Sequence, residues 1–293
     1  MFQMKKNLTL LLFLSVFYVS FSQEKESKES KTDALIDDFL EQNQIIDSFL
    51  AAYSKYQFLY LTVNYNDATY FSGRDIGIDQ YNISPRITYL HYSGLYGSVS
   101  GIYYSEFDPK WDLTTATIGY GKNFGKKKTY RYSVSYSRYF YNNSLDNLFT
   151  NDISASIGIK NKKRTLGTSL SGSYLFGKDE SFQIASTSFV TFNLFKTTKT
   201  KLDFKPQINL VAGKQTVELA RSYMRFGQLV TEYSENDVFS LINTQLYFPL
   251  EFSYNSFDVG VGYTINLPTA IGDESDLKST GLFNVSMSYL LDL

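Results

Sequence analysis

The sequence has no cysteine. This excludes disulfides, thiolate metal sites, a cysteine nucleophile and a lipid-modified cysteine behind a signal sequence. Histidine occurs once and tryptophan once, so no His-rich metal set can form. No Gly-rich phosphate loop follows a strand and opens a helix. Neither a metal nor another cofactor is expected. Charge of one sign is lacking too: 28 Lys+Arg stand against 29 Asp+Glu, a balance that gives no reason to expect nucleic acid as a partner. Long hydrophobic runs are missing after the first two dozen residues, and none reaches the roughly 20 apolar residues of a membrane helix. What is abundant is tyrosine and phenylalanine, 25 and 24 of 293 residues. Tyrosine in such numbers suits positions with one wet end and one greasy end.

Lys5 and Lys6 precede an apolar run over 8–19, and Ser20 and Ser22 supply small residues before Gln23. A run of this length falls in the range of roughly 7–15 residues expected of a signal peptide, so 1–22 reads as a cleaved export signal. Residues 23–31 are charged and featureless, a flexible leader. Over 32–55 the pattern changes. Leu35, Ile36, Phe39, Leu40, Ile46, Phe49, Leu50 and Tyr53 recur at spacings of three and four, with acidic residues between them and Thr32 placed to cap. This predicts a short amphipathic helix. Its address is the rim of a barrel, its lumen as a plug, or a periplasmic partner that docks on 32–54.

From 56 to 293 the period is two. Phe257, Val259, Val261, Tyr263 and Ile265 alternate with Asp258, Gly260, Gly262, Thr264 and Asn266, and Phe283 to Leu293 repeats the pattern. Strands are predicted at about 56–66, 80–92, 95–107, 112–122, 129–141, 148–160, 165–177, 181–195, 200–212, 237–252, 257–268 and 281–293. Runs of about ten residues match a tilted membrane-spanning strand, whereas strands of soluble sheets are nearer five or six. Short turns such as Ser93-Gly94 and Tyr254-Asn255 face longer, acidic connections at 67–79, 213–236 and 269–280. The polar face is dominated by Ser, Thr, Asn and Gly. Aromatic residues gather near both strand ends: Tyr92, Tyr96, Tyr120, Phe124, Tyr130, Phe192, Phe195, Phe257 and Tyr289 by the short turns, and Tyr70, Phe71, Tyr81, Tyr103, Tyr104, Phe107, Trp111, Phe140 and Tyr141 by the long loops. Two aromatic bands one strand apart are the girdles of a membrane barrel. The expected fold is all-β: a transmembrane antiparallel up-and-down β-barrel of about 12 strands, with a short N-terminal amphipathic helix. Pro85, Pro206 and Pro249 fall inside predicted strands, where each removes a ladder hydrogen bond, so bulges or shifted strand ends are expected there.

On these residues the chain resembles the outer-membrane β-barrel proteins of gram-negative bacteria over about four-fifths of its length. Its Ser-Phe-Ser-Gln signal end and Tyr/Phe/Asn/Lys-rich composition resemble proteins of the Bacteroidota. The resemblance implies a place in the outer-membrane bilayer and no particular activity.

Parity places Arg86, Arg131, Asp152, Asp203, Lys205 and Asp258, with Lys201, on the inner face as candidate lumen-lining residues. They can line an aqueous pore or pair and fill it. In the insertion 213–236, Val217, Leu219, Ala220, Tyr223, Met224 and Phe226 predict a short helix, with Arg221 and Arg225 stacked at i and i+4. Folded inward, that loop would form a basic constriction. His91-Tyr92-Ser93 looks like the His-x-Ser core of outer-membrane phospholipases and lipid A deacylases. Gly94, however, stands where the phospholipase pattern has Asn. The nearest downstream carboxylate, Glu106, would lie roughly 33 Å away along the next strand. No catalytic residue and no enzyme is therefore expected. The preferred function is a small passive channel for hydrophilic solutes, or a structural barrel. The alternative is an interaction barrel that uses its acidic loops or the N-terminal helix. An outer-membrane lipid hydrolase is the remote third.

Overall fold

The computed structural model describes residues 57–70, 73–75, 77–125, 128–142, 149–225, 228–270 and 277–293, with the backbone alone for 215–238. The predicted signal peptide, leader and amphipathic helix lie outside the described residues. Fourteen strand segments follow in chain order: β1 (Phe58–Asn66), β2 (Asn82–Leu90), β3 (Leu95–Tyr104), β4 (Trp111–Phe124), β5 (Tyr130–Tyr141), β6 (Phe149–Lys160), β7 (Leu166–Gly177), β8 (Glu180–Val190), β9 (Phe192–Lys196), β10 (Thr200–Phe204), β11 (Gln207–Arg225), β12 (Gln228–Tyr254), β13 (Phe257–Pro268) and β14 (Thr280–Asp292). Two breaks do not change the strand count. The register runs unaltered from Phe204↔Phe192 to Gln207↔Phe189, so β8 with β9, and β10 with β11, are each one barrel strand interrupted once. Twelve antiparallel strands result, each paired with its sequence neighbour, and β1 pairs with β14 to close the ring. Closure leaves no sheet edge around the barrel wall, the condition for strands to cross lipid.

The reason this sequence closes around a lumen and not around a core is visible in β5. Tyr130, Tyr132, Val134, Tyr136 and Phe140 are 38–54% exposed, whereas Arg131, Ser133, Ser135 and Ser137 are 3–8% exposed. The apolar face is outside and the polar face inside, the inverse of a soluble sheet. In water that outer face would be a large apolar patch; in hydrocarbon it is at home.

Tight turns join strands at one end. His91 and Gly94 close the β2–β3 turn through Gly94 N to His91 O, 2.9 Å. Gly94 has φ +102°, and a Cβ there would strike the Gly121 carbonyl oxygen, so only glycine serves. Gln57 and Leu293 meet at this same rim, Leu293 N donating to Gln57 O at 3.1 Å. The chain therefore enters and leaves the barrel on the short-turn side.

The three strand prolines fall where the ladder lapses. Lys205 and Pro206 separate β10 from β11, and Pro249 lies opposite that gap, its carbonyl accepting from Lys205 N at 3.1 Å. Two missing donors thus share one interruption. At Pro85 the pairing with β3 skips Ser84 and Pro85 without a change of register.

Two expectations need correction. Segment 213–236 is not a helical loop: β11 and β12 continue as a hairpin from Gln207↔Tyr247 to Arg225↔Gln228. Beyond Gly213↔Gln183 on one side and Asn243↔Pro268 on the other it has no further neighbour among the described strands. It is a two-stranded ribbon past the rim. Its apolar residues also satisfy a period of two (Val217, Leu219, Tyr223), and residues 228–240 supply a partner strand for it. Arg221 and Arg225 therefore sit at register positions opposite Glu232 and Gln228 of that ribbon. The girdles also lose members: Tyr96 and Tyr104 are buried on the inner face, which they share by parity with Ser98 and Ser100. Phe71 lies outside the described residues.

Candidate functional site: the lumen and its two mouths

Hydroxyls line the middle of the wall. Ser98, Ser100, Thr115, Thr117, Ser133 and Ser135 all turn inward and are buried. Thr117 and Ser137 hydroxyls approach to 2.9 Å, and those of Ser133 and Ser156 to 2.7 Å. Asp152 accepts hydrogen bonds from the Ser154 and Ser173 hydroxyls, a short network that fixes its carboxylate against the wall. Small hydroxyl side chains bring polarity without bulk, which suits a confined aqueous space.

Charge gathers at the short-turn mouth. On one arc Arg131 from β5 crosses Gly158 of β6. A Cβ at Gly158 would come 2.5 Å from the arginine Nε, so the missing side chain is what lets the guanidinium lie flat. Beside it the Lys160 and Lys205 ammonium groups stand 5.4 and 5.2 Å from the centre of the Phe189 ring, each a cation–π contact. On the strands next to Lys205 are Glu251 of β12 and Asp258 of β13, with Lys205 Nζ 3.6 Å from Glu251 Oε1. Asp203 accepts from Asn193 Nδ2 at 2.8 Å and touches the Lys201 ammonium. A third arc is apolar: Leu90 and Tyr96 are buried together, with Tyr60 and Leu290 against them.

The opposite mouth is narrowed by the connection between β1 and β2, residues 67–81. Gly73 packs against the side chain of inward-facing Asn243 of β12. Arg74 Nη2 donates to Thr269 O at 2.8 Å, and Thr280 Oγ1 to Gly73 O at 2.8 Å. To reach these partners the connection crosses the ends of β14 and β13. Asn243, Asn266 and Thr280 continue the chain of amide and hydroxyl bonds below it (3.1 and 3.2 Å). Leu113, Tyr139, Phe149 and Leu175 form an apolar cluster on the other side of the same half, with Ile102 and Tyr141 packed on it.

The six lumen candidates from sequence all lie on the inner face. Arg86, Arg131, Asp152 and Asp203 are buried, and Lys205 and Asp258 half-buried. Arg131, Lys205, Asp203 and Asp258 belong to the short-turn mouth; Asp152 lies toward the long-loop end and Arg86 in between. Arg221 and Arg225 are not brought to this group by any described backbone contact. Sequence reasoning missed Lys160, Glu251 and Asp112. Lys160 and Glu251 have inner parity in their strands, Glu251 with Pro249 and Ser253, and that signal sufficed to find them, whereas Asp112 has the parity of outward Ile118 and is buried where the β3–β4 register shifts between Ile102 and Tyr103. His91 Nδ1 and Ser93 Oγ are 2.8 Å apart within the turn, and Glu106 lies past the far end of β3. Among the described residues no group of three or more His, Asp or Glu could hold a metal.

No protein-family model matches the chain, and no curated protein matches it. Solved structures do. An outer membrane channel from Pseudomonas putida F1 aligns with a TM-score of 0.50 at 11% identity, over 82% of this chain and 97% of the other. A KdgM porin aligns at 0.45 and 7% identity, over 79% and 98%. The translocator domain of the autotransporter NalP from Neisseria meningitidis aligns at 0.43 and 9%, over 89% and 98%. At such identities the likeness concerns the fold alone: the chain has the fold of outer-membrane β-barrels.

Proposed function

We propose that the barrel is a narrow passive channel for small hydrophilic solutes in the bilayer of an outer membrane, a conduit and not an enzyme. The carrying observation is the inner wall, lined by hydroxyls along its middle and by Lys160, Lys205, Glu251 and Asp258 at one mouth. Twelve strands at about 4.8 Å spacing and a tilt near 40° give a backbone diameter of about 24 Å. That is more than small inward side chains fill. The loop 67–81 would set the size limit at the other mouth.

The test is single-channel recording of the refolded protein in a planar bilayer, with folding checked by heat-modifiable gel mobility. Discrete conductance steps from the intact chain or from a form lacking 24–54 support the channel; silence in both overturns it. The charged mouth gives a second readout. Lys160→Glu with Lys205→Glu should lower the anion-to-cation permeability ratio about fivefold, equivalent to roughly 1 kcal/mol at a passing ion. An unmoved reversal potential would remove these lysines from the ion path.

A second reading, an interaction barrel, draws on the ribbon formed by β11 and β12, which leaves strand edges open to another chain. Shortening it by residues 217–236 should leave conductance unchanged if its task is contact with a partner.

A further inference from the structure

We propose that the inner wall of β11 to β14, in the long-loop half, is a subsite for an uncharged polyhydroxylated solute, a sugar of one or two rings. How such a solute arrives rests on the channel reading; what holds it is the wall itself.

Carboxamides pass hydrogen bonds from strand to strand along this stretch. Asn209 Nδ2 donates to Gln245 Oε1 at 3.4 Å, Asn243 Nδ2 to Asn266 Oδ1 at 3.1 Å, and Asn266 Nδ2 to Thr280 Oγ1 at 3.2 Å. The wall does not satisfy itself, however. The Oδ1 atoms of Asn209, Asn243 and Asn284 are buried and accept from no described group. Asn209 and Asn243 are 4% and 2% exposed, and a buried acceptor left unmade is costly. An arc with surplus acceptors selects a ligand rich in donors.

Formal charge is missing here. By parity the inward residues of β11 over 207–211, β12 over 243–247, β13 over 262–266 and β14 over 280–286 are Asn, Gln, Ser, Thr, Gly, Val, Leu and Tyr. A cation would find no carboxylate on this arc, and an anion would meet bare carbonyl oxygens. A hydroxyl both donates to a carboxamide oxygen and accepts from its N–H.

Tyr247 supplies the apolar element. Its ring lies across Gly262 of β13, where a Cβ would stand 2.4 Å from the ring Cε2 and 2.5 Å from Asn284 Oδ1. The missing side chain thus brings an aromatic ring and an unfilled acceptor together over one floor. Tyr247 and Asn284 are only half-buried, so both are within reach of the lumen. The negative face of an aromatic ring attracts the polarised C–H groups of a sugar, while the hydroxyls around that sugar's rim supply donors. From Asn209 on β11 to Asn284 on β14 is three strand spacings, about 14 Å, room for two rings.

The experiment is saturation-transfer NMR on the full chain refolded in an amine-oxide detergent, with maltose as the probe. Maltose should bind saturably. A methyl-capped oligoethylene glycol of similar size, which has acceptors and no donors, should not. Tyr247→Phe should keep the affinity, and Tyr247→Leu and Asn284→Leu should each weaken it at least fivefold. Folding is checked by heat-modifiable gel mobility. Where either leucine variant fails that check, Gln245→Met takes its place, a volume-conserving change at a half-buried position, with the same loss expected. Absence of saturable binding overturns the subsite, as does equal binding of maltose and the glycol, or affinity unmoved by these substitutions. Planar-bilayer recording judges the channel separately. Conductance without maltose binding overturns the subsite and leaves the channel standing; maltose binding without conductance overturns the channel and leaves the subsite.

Discussion

Val134→Arg should lower the unfolding free energy of the bilayer-inserted protein by about 2–4 kcal/mol, whereas Ser135→Ala, one residue along, should cost about 1 kcal/mol or less. Both residues sit midway along β5, flanked on either side by β4 and β6. They differ in the face they occupy: Val134 is half exposed and Ser135 buried. Were the outer face in water, arginine there would be among the mildest of substitutions, within about 0.5 kcal/mol. In hydrocarbon the guanidinium must snorkel to a headgroup or thin the bilayer locally, and the middle of a strand is the worst place from which to do so. Urea titration of the protein folded into liposomes reads the difference. A Val134→Arg effect no larger than that of Ser135→Ala would mean that β5 does not face lipid.

The contrast also explains what could be read from the sequence. Alternation is local: which face of β5 is apolar is decided by residues 130–140 alone, and the same holds for each strand in turn. The number of barrel strands followed from counting such runs, and closure followed from lipid allowing no unpaired edge. Distance from the turns puts Tyr96 and Tyr104 in the outer girdles, whereas their parity with Ser98 and Ser100 points inward, and parity decides the face. Segment 213–236 was ambiguous for another reason: Val217, Leu219 and Tyr223 fit both a helical stripe and an alternating strand. Only the partner residues 228–240 decide for the strand. The loop 67–81 was illegible. Its grip on the wall runs from Gly73 to Asn243 and from Arg74 to Thr269, contacts with no periodicity and 170 and 195 residues of separation. The charges at the short-turn mouth lie between these cases. Parity gives the face of each one, but that Lys160 and Lys205 meet over Phe189 follows from the register of β6 through β11 around the ring.

Tyr96 also carries the prediction that links packing to passage. Its ring, from β3, lies across Gly119 of β4, its register partner. A Cβ at Gly119 would overlap the ring at Cζ and Oη and would stand 2.8 Å from the Val134 carbonyl oxygen. Gly119→Ala should therefore cost about 1–3 kcal/mol by overpacking. Tyr96→Ala removes the yielding part of that clash and leaves the backbone part. In the Tyr96→Ala background the cost of Gly119→Ala should fall by roughly 1–2 kcal/mol without vanishing, a coupling of the size found between residues in contact. Strictly additive losses in a double-mutant cycle would show that the ring does not rest on Gly119. The same displacement has a consequence for flow. Tyr96 belongs to the apolar arc of the short-turn mouth with Leu90, and a ring pushed off its glycine has only the lumen to enter. Gly119→Ala should thus reduce the conductance of the barrel in a planar bilayer, and Tyr96→Ala should restore it. Instability and constriction would then share one cause, the loss of the groove that a missing side chain provides.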